Sequence, residues 1–268
     1  MHDEPQHVKQ GKIPLPLLDA MGIRHEILSQ DETEFRSQLD GAVRHMSETG
    51  EAFAFIVRKN TFEPYTLQRH EVNEYPLSRE EAIQKVAASL SAKDVIVSTT
   101  GMISRELFEY RTAQGQGHER DFLTVGSMGH ASQIALGIAL EKTDRRVWCF
   151  DGDGAALMHL GSVAIIADKA PENFVHVIFN NGAHDSVGGQ PTVGLKVNLA
   201  GIAKAAGYKD AVSVTTAEDL GSALKVLKTM RGPVLLEVRV HRGNRKDLGR
   251  PTTTPIQNRD ALMEFMGQ

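Results

Sequence analysis

Two short polar motifs stand where a carboxylate and an amide could share one ligand. Asp151-Gly152-Asp153-Gly154 follows the apolar run VWCF, and Asn180-Asn181-Gly182 follows VHVIF. In an open parallel sheet, ligands bind beyond the carboxyl ends of the strands. The glycines around Asp153 let the backbone approach a ligand closely. The segment after Gly154 reads as a helix, whose N-terminal end suits a phosphate. Twenty-five residues separate Gly154 from Asn180, room for one helix and one strand, so the crossover should bring Asn181 beside Asp153. A carboxylate, an amide oxygen and a backbone carbonyl around a diphosphate make an all-oxygen set suited to Mg²⁺. Alone, GDG fits any tight turn and NNG commonly marks a β-turn. A third polar strand end, Ser98-Thr99-Thr100-Gly101, adds a further loop to the same rim.

The elements that must position these motifs are legible from residue 78 onward. SREEAIQKVAASL opens with a Ser N-cap and places Glu80 and Glu81 in the first turn, both favourable there. Strand DVIVST (94–99), a helix through SRELFEY, a Gly/Ser/Gln-rich loop and helix SQIALGIALEK (132–142) follow. Then come strand VWCFD (147–151), helix 155–169, strand VHVIFN (175–180), helix NLAGIAKAAG, helix 217–231 and strand VLLEVRV (234–240). The strands are short, continuous and β-branched, as strands buried on both faces are. Strand–helix alternation predicts an α/β fold with a parallel sheet flanked by helices. Before it, 15–21 and 31–49 read as helices, the second capped by Asp31, and 52–59 as a strand. Residues 60–77 read as a linker, and RGNRKDLGRPTTTPIQNRD near the end reads as a solvated extension rather than an anion site.

Composition narrows the classes. Of 268 residues, 41% are hydrophobic and 24% charged, so the chain is globular rather than disordered. A net charge of −4 gives no support to nucleic acid as the main partner. No apolar run is long enough to span a bilayer, and the polar start is no signal peptide. The lone Cys149 cannot form an internal disulfide, which points to a reducing, cytoplasmic setting. Fifteen of the 24 glycines lie between Gly101 and Gly207, against four in residues 1–100, so the middle of the chain holds the ligand loops. A dinucleotide-binding alternative fails, because Gly152 and Gly154 lack the third glycine of GxGxxG.

GDG and NN at this spacing, each after a buried strand, resemble the fingerprint of the thiamin-diphosphate enzymes. The resemblance implies that Asp153, the side chain of Asn181 and the main chain of Ala183 bind Mg²⁺. It places Gly152, Gly154 and Ala155, with Thr100 and Gly101 of the earlier loop, around thiamin diphosphate. Gly126-Ser127-Met128-Gly129 resembles the segment that holds the aminopyrimidine ring. Met128 matches the bulky apolar side chain that bends the cofactor there, whereas on its own it would read as core filler.

DEPQHVKQGKI, STTGMISREL, DGDGAALMHLGS, NNGAHDSVGGQPT and RKDLGRPTTTPI together resemble the phosphonopyruvate decarboxylase family, along nearly the whole chain. Sulfopyruvate decarboxylase, often split into two subunits, is the close alternative. The implied reaction removes CO₂ from 3-phosphonopyruvate to give phosphonoacetaldehyde, the cofactor supplying a nucleophilic carbon and an electron sink. The protein must then supply a proton and hold the anion. His184 and His130 are candidates for the proton, with structural histidines as the alternative. Ser186 and Gln190, on a polar loop, are candidates for substrate contact. Arg105 could pair with the phosphonate, although a helix-surface arginine is the competing reading.

The resembled enzymes combine a diphosphate-binding with a pyrimidine-binding domain, the second supplying a glutamate that activates the ring. Residues 77–268 match the first. Residues 1–76 match only the last part of the second plus a linker, and none of Glu4, Glu26, Glu32 or Glu34 is assignable as the activating glutamate. A fragment, a late-assigned start codon or a true split enzyme would each account for this. The chain is therefore expected to be inactive alone, and to act as a homo-oligomer or with a partner subunit that supplies the pyrimidine-binding domain. A non-catalytic cofactor-binding subunit and another thiamin enzyme, acetolactate-synthase-like or dehydrogenase-like, are the remaining alternatives.

Overall fold

The computed structural model describes residues 7–65 and 73–267. The chain divides into two compact units, Met1–His70 and Glu71–Gln268, where the sequence placed the boundary at 76/77.

The first unit carries helices α1 (His7–Gln10), α2 (Pro14–Ala20) and α3 (Glu32–Thr49), with strands β1 (Arg24–Ile27) and β2 (Phe53–Ile56) paired in parallel. Asp31 caps α3 by accepting from the backbone N–H of Glu34, and Gly50 ends it at φ 71°. Among its described residues only Leu28 and Ala42 are buried. Leu39, Val43 and Met46, spaced as one stripe along α3, are exposed.

The second unit is a doubly wound sheet. It comprises α4 (Arg79–Ser89), β3 (Val95–Ser98), α5 (Met102–Ala113), β4 (Asp121–Leu123), α6 (Ala131–Glu141) and β5 (Val147–Gly152). There follow α7 (Asp153–Met158), α8 (Ser162–Lys169), β6 (Phe174–Asn180), the hairpin β7 (Ala183–His184) and β8 (Gln190–Pro191), and α9 (Leu199–Ala206). β9 (Asp210–Val214), α10 (Ala217–Leu227), β10 (Val234–Arg239) and α11 (Pro255–Phe265) complete it. Six strands pair in parallel in the order β4-β3-β5-β6-β10-β9.

Alternate side chains of each strand enter two separate cores. Ile96, Trp148, Phe150, Val177 and Leu236 face one core with Ile83 and Val86 of α4, Leu107 of α5 and Leu220 of α10. Val97, Cys149, Ile178 and Leu235 face the other, with Ala135 and Ala139 of α6, Ile166 of α8 and Ala203 of α9. Burying each such large apolar side chain contributes roughly 1.5–3 kcal/mol, and burial on both faces explains the absence of polar alternation in these strands. From β3 the chain moves outward to β4, then crosses back to β5 on the other side of β3. That reversal opens a crevice at the carboxyl ends of β3 and β5.

The structure corrects four local expectations. The helix read over 155–169 is two helices, α7 and α8, because His159 leaves the helical region at φ −131°, ψ 47°. The helix read over 217–231 ends at Leu227. The loop before α6 contains the edge strand β4, held to α5 by two hydrogen bonds from the buried Arg111 guanidinium to Asp121. The C-terminal segment is no loose extension: α11 packs on β4, and Arg245 reaches Glu80, Glu109 and Asp247. Part of the linker read at 60–77, and residues 1–6, lie outside the described residues.

Candidate thiamin-diphosphate site

One cleft lies at the crevice the topology opens. Thr99, Thr100, Met102 and Ile103 line it from the β3–α5 turn, Met128 from the β4–α6 loop, and Gly152, Asp153, Gly154 and Ala155 from the β5–α7 turn. Asn181, Ala183, His184, Asp185 and Ser186 line it from the segment after β6, and Arg79 from α4.

The β5–α7 turn buries Asp153 at 1% exposure. Burial pushes its carboxyl up, against hydrogen bonds from the Thr192 hydroxyl and the Asn181 backbone that favour the ionised form. One glycine makes room for this carboxylate and another for the His184 ring beside it. A Cβ on Gly194 would lie 2.4 Å from Asp153 Oδ2, and one on Gly154 would lie 2.3 Å from His184 Cε1.

The two asparagines after β6 have different tasks. Asn180 is a sheet residue: its amide donates to Glu237 Oε1 at 2.6 Å and to the Gly194 carbonyl at 2.9 Å, while its oxygen accepts from Gly182 N–H. Asn181 faces the cleft. Its Oδ1 accepts from Ala183 N–H at 3.0 Å, and its Nδ2 donates to Asp185 Oδ2 at 2.6 Å. The turn is braced from behind, since Asn73 donates to the Asn181 carbonyl and Arg242 to the Gly182 carbonyl.

The loop holding Met128 is bent by a run of left-handed residues. Gly126, Ser127 and Gly129 have φ of 71°, 49° and 87°. A Cβ on Gly129 would meet the Ala155 carbonyl at 2.7 Å, so that position needs glycine. Thr100 Oγ1 accepts from Gly126 N–H, tying this loop to the β3 turn. Gly101 has φ 100°, and Ser186 packs 3.3 Å from where its Cβ would be.

Gly101, Ser127 and Gly129 flank residues that line the cleft, and three candidates for proton or substrate contact stand apart from it. His130 is exposed at the start of α6, its ring 4.3 Å from that of His159. Gln190 is exposed on β8, and Arg105 is half-buried on α5. The arginine that does line the cleft is Arg79, which sequence reasoning passed over. Its Nε and Nη2 donate to Glu106 at 2.9 and 2.8 Å, and its Nη1 to Asp185 at 2.9 Å. A signal was available: an arginine in the first turn opposes the helix dipole, and so needs another reason to be there.

The donor chemistry fits a divalent ion and a diphosphate. Asp153 and Asn181 both line the cleft and carry hard oxygen atoms, as Mg²⁺ prefers. A buried carboxyl pushed up by desolvation is restored to its ionised form by such an ion.

Residues 99–238 match the family described as thiamine pyrophosphate enzyme, C-terminal TPP binding domain. The chain belongs to the thiamine pyrophosphate enzymes, and this unit is their cofactor-binding domain. Among individual proteins, it is 32% identical to phosphonopyruvate decarboxylase of Streptomyces viridochromogenes, over 95% of this chain and 66% of that one. It is 39% identical to sulfopyruvate decarboxylase subunit beta of Methanocaldococcus jannaschii, over 56% of this chain and 77% of that one. The crystal structure of benzoylformate decarboxylase from Polynucleobacter necessarius shares the fold, with TM-score 0.52 at 16% identity over 72% of this chain and 38% of that one. The chain spans about two thirds of the length of the phosphonopyruvate decarboxylases it matches.

Proposed function

We propose that this chain carries the diphosphate- and metal-holding part of a decarboxylase that converts 3-phosphonopyruvate to phosphonoacetaldehyde and CO₂. The observation that carries the reading is the cleft where Asp153, Asn181 and Ala183 meet Thr100 and Met128. Identity to phosphonopyruvate decarboxylase over 95% of the chain supports the substrate.

In this reading Asp153, the Asn181 amide oxygen and the Ala183 main chain hold Mg²⁺. Thr100, Gly101, Gly152, Gly154 and Ala155 surround the diphosphate, and Ser127, Met128 and Gly129 shape the pyrimidine side. When bound, the cofactor supplies the nucleophilic carbon and the sink for the electron pair left by CO₂. His184, packed over Gly154 inside the cleft, is better placed than His130 to deliver a proton to the product carbon. Ser186 is placed to touch substrate, whereas Gln190 and Arg105 would have to reach it by a change of conformation.

A second reading, sulfopyruvate decarboxylase, is favoured by the 39% identity to a subunit beta. Phosphonate and sulfonate are both compact tetrahedral anions, so the cleft chemistry alone does not rank them. The subunit naming also supports a partner that supplies the pyrimidine-binding domain, as does the exposed apolar stripe on α3. No helix among the described residues is long and apolar enough to cross a membrane, and the buried free thiol of Cys149 fits a reducing, cytoplasmic setting.

Calorimetric titration of thiamin diphosphate, with and without Mg²⁺, tests the site. Binding should require Mg²⁺ and be lost in Asp153→Ala; unchanged affinity would overturn the metal assignment. Turnover of phosphonopyruvate, sulfopyruvate and pyruvate after co-expression with a neighbouring reading frame then ranks the substrates. The chain alone should bind cofactor without turnover, and robust decarboxylation by it would overturn the need for a partner.

A further inference from the structure

Beneath the cleft, three metal-ligating side chains meet in the core and play no part in the chemistry above. Cys149 and Asp151 alternate on β5 and so share one face, and His176 of β6 is in register with Cys149. The ligand atoms of Cys149, Asp151 and His176 all lie within 4.8 Å of one another. All three side chains are essentially inaccessible to solvent.

Apart from Asp151 Oδ1, which accepts from Gly152 N–H, the nitrogen and oxygen atoms of this cluster are unpartnered. Asp151 Oδ2, both ring nitrogens of His176 and the hydroxyl of nearby Tyr208 have no hydrogen-bond partner in the structure. Buried polar groups are rarely left so, and each such group calls for an explanation such as an ion or a trapped water. Tyr208 borders the cluster closely enough that burial first, then Cys149 and Asp151, push its phenol up.

One distance discriminates between explanations. His176 Nε2 and Asp151 Oδ2 are 3.5 Å apart. A charge-assisted hydrogen bond between them would measure about 2.7–2.9 Å. Two ligands held about 2.0–2.1 Å from a tetrahedral ion lie roughly 3.4 Å from each other. The observed spacing is too long for such a hydrogen bond and matches the edge of a coordination tetrahedron.

We propose that Cys149, Asp151 and His176 bind a structural Zn²⁺-class ion that clamps β5 to β6 under the cofactor cleft. A thiolate, an imidazole and a carboxylate select a borderline ion such as Zn²⁺ over Mg²⁺. One thiolate and one carboxylate also neutralise its two charges, which a dry core requires. With the ligands enclosed, the ion enters as the chain folds and exchanges slowly afterwards. The set is distinct from Asp153 and Asn181, so it stands whether or not the proposed reaction does.

Protein expressed with added zinc and dialysed against EDTA should retain about one zinc per chain by elemental analysis. Asp153→Asn should retain it, whereas Cys149→Ser and His176→Gln should lose it. Expression in cobalt medium gives a readout that needs no variant: intense visible bands of tetrahedral cobalt with a thiolate-to-cobalt charge-transfer band. Zinc-free wild-type protein, cobalt-grown protein without those bands, or equal zinc in wild type and Cys149→Ser would each overturn the proposal.

Discussion

Arg79 reaches Asn181 through a single atom, Oδ2 of Asp185, which accepts from Arg79 Nη1 at 2.9 Å and from Asn181 Nδ2 at 2.6 Å. The same oxygen takes Gly243 N–H, and Glu106 holds the rest of the guanidinium. The amide of Asn181 is thereby turned so that its nitrogen points at Asp185, while its oxygen takes Ala183 N–H and keeps a second lone pair to offer a ligand. Partners that orient a metal ligand typically contribute about 10–100-fold in affinity. Asp185→Asn should therefore weaken Mg²⁺-dependent thiamin diphosphate binding about 10-fold with the fold intact, measured by calorimetry and circular dichroism. Wild-type affinity in that variant would show that Asn181 is oriented without the relay. Arg79→Met should cost more, roughly 3–5 kcal/mol of stability, because it leaves Glu106 buried without its counter-ion.

The helix that delivers Arg79 starts at a reciprocal cap. Ser78 Oγ accepts from Glu81 N–H at 3.1 Å, and the Glu81 carboxylate accepts from Ser78 N–H at 3.0 Å. Ser78→Ala should destabilise the protein by roughly 0.5–2 kcal/mol in urea unfolding. The same hydrogen bonds, from the Ser78 backbone first and its hydroxyl second, hold the Glu81 carboxyl below its ordinary value of 4.5. A depressed carboxylate stabilises the fold above its unfolded pKa, and that contribution disappears as pH falls through the folded value. The stability gap between wild type and Glu81→Gln should thus be present at neutral pH and close below about pH 4. Because Glu81 is exposed, added salt should narrow the gap. A gap that persists at low pH would show that the charge of Glu81 plays no part in the cap.

Glycine substitutions separate positions that need space from those that do not. In Gly194→Ala the new methyl would sit 2.4 Å from Asp153 Oδ2 and 2.7 Å from its Cβ, so the carboxylate must move. Mg²⁺-dependent cofactor affinity should fall by an order of magnitude or more. Gly41, within α3, has nothing within 4 Å of its would-be Cβ. Gly41→Ala should leave cofactor binding unchanged and add roughly 0.5–1 kcal/mol of stability from helix propensity. Equal cofactor affinity in both variants would show that Asp153 is not pinned against Gly194.

Asp153 and Asn181 could be read from the chain because each follows a strand buried on both faces, whose continuous apolar run marks its own carboxyl end. The crossover length then placed the two ends side by side. Arg79, Glu106 and Asp185 could not be read that way. Their bonds join residues 27 and 106 apart in sequence, so no local period reports them. β4 was missed for a different reason: Asp121–Leu123 is three residues long, with only Phe122 and Leu123 apolar within it, too short for a period to show. The break between α7 and α8 did leave a trace, since His159, Gly161 and Ser162 interrupt the apolar run and Gly161 caps α8. α11 was a missed signal rather than an absent one. Thr254, Pro255 and Gln257 spell a capping box with proline in the first turn, and the structure forms it.

One side chain of that last helix hydrogen-bonds the edge strand directly. Asn258 Oδ1 accepts from Leu123 N–H at 2.8 Å, and its Nδ2 donates to the Asp121 carbonyl at 2.7 Å. It therefore serves the outer edge of β4 as a further strand would, satisfying a backbone donor and an acceptor that α11 shields from water. Asn258→Ala would strand both groups in a buried setting, at roughly 1–3 kcal/mol each. Denaturant unfolding should report a loss of about 2–4 kcal/mol. Asn258→Asp, which keeps an acceptor for Leu123 but cannot donate to Asp121, should also destabilise the protein, with part of the loss recovered at low pH as the carboxyl gains a proton to donate. Since β4 leads directly into the Gly126–Gly129 loop, hydrogen exchange should rise there in Asn258→Ala while the β6 amides stay protected. Uniform exchange across the sheet would mean that β4 is held by Arg111 and the core alone, and that α11 is not its anchor.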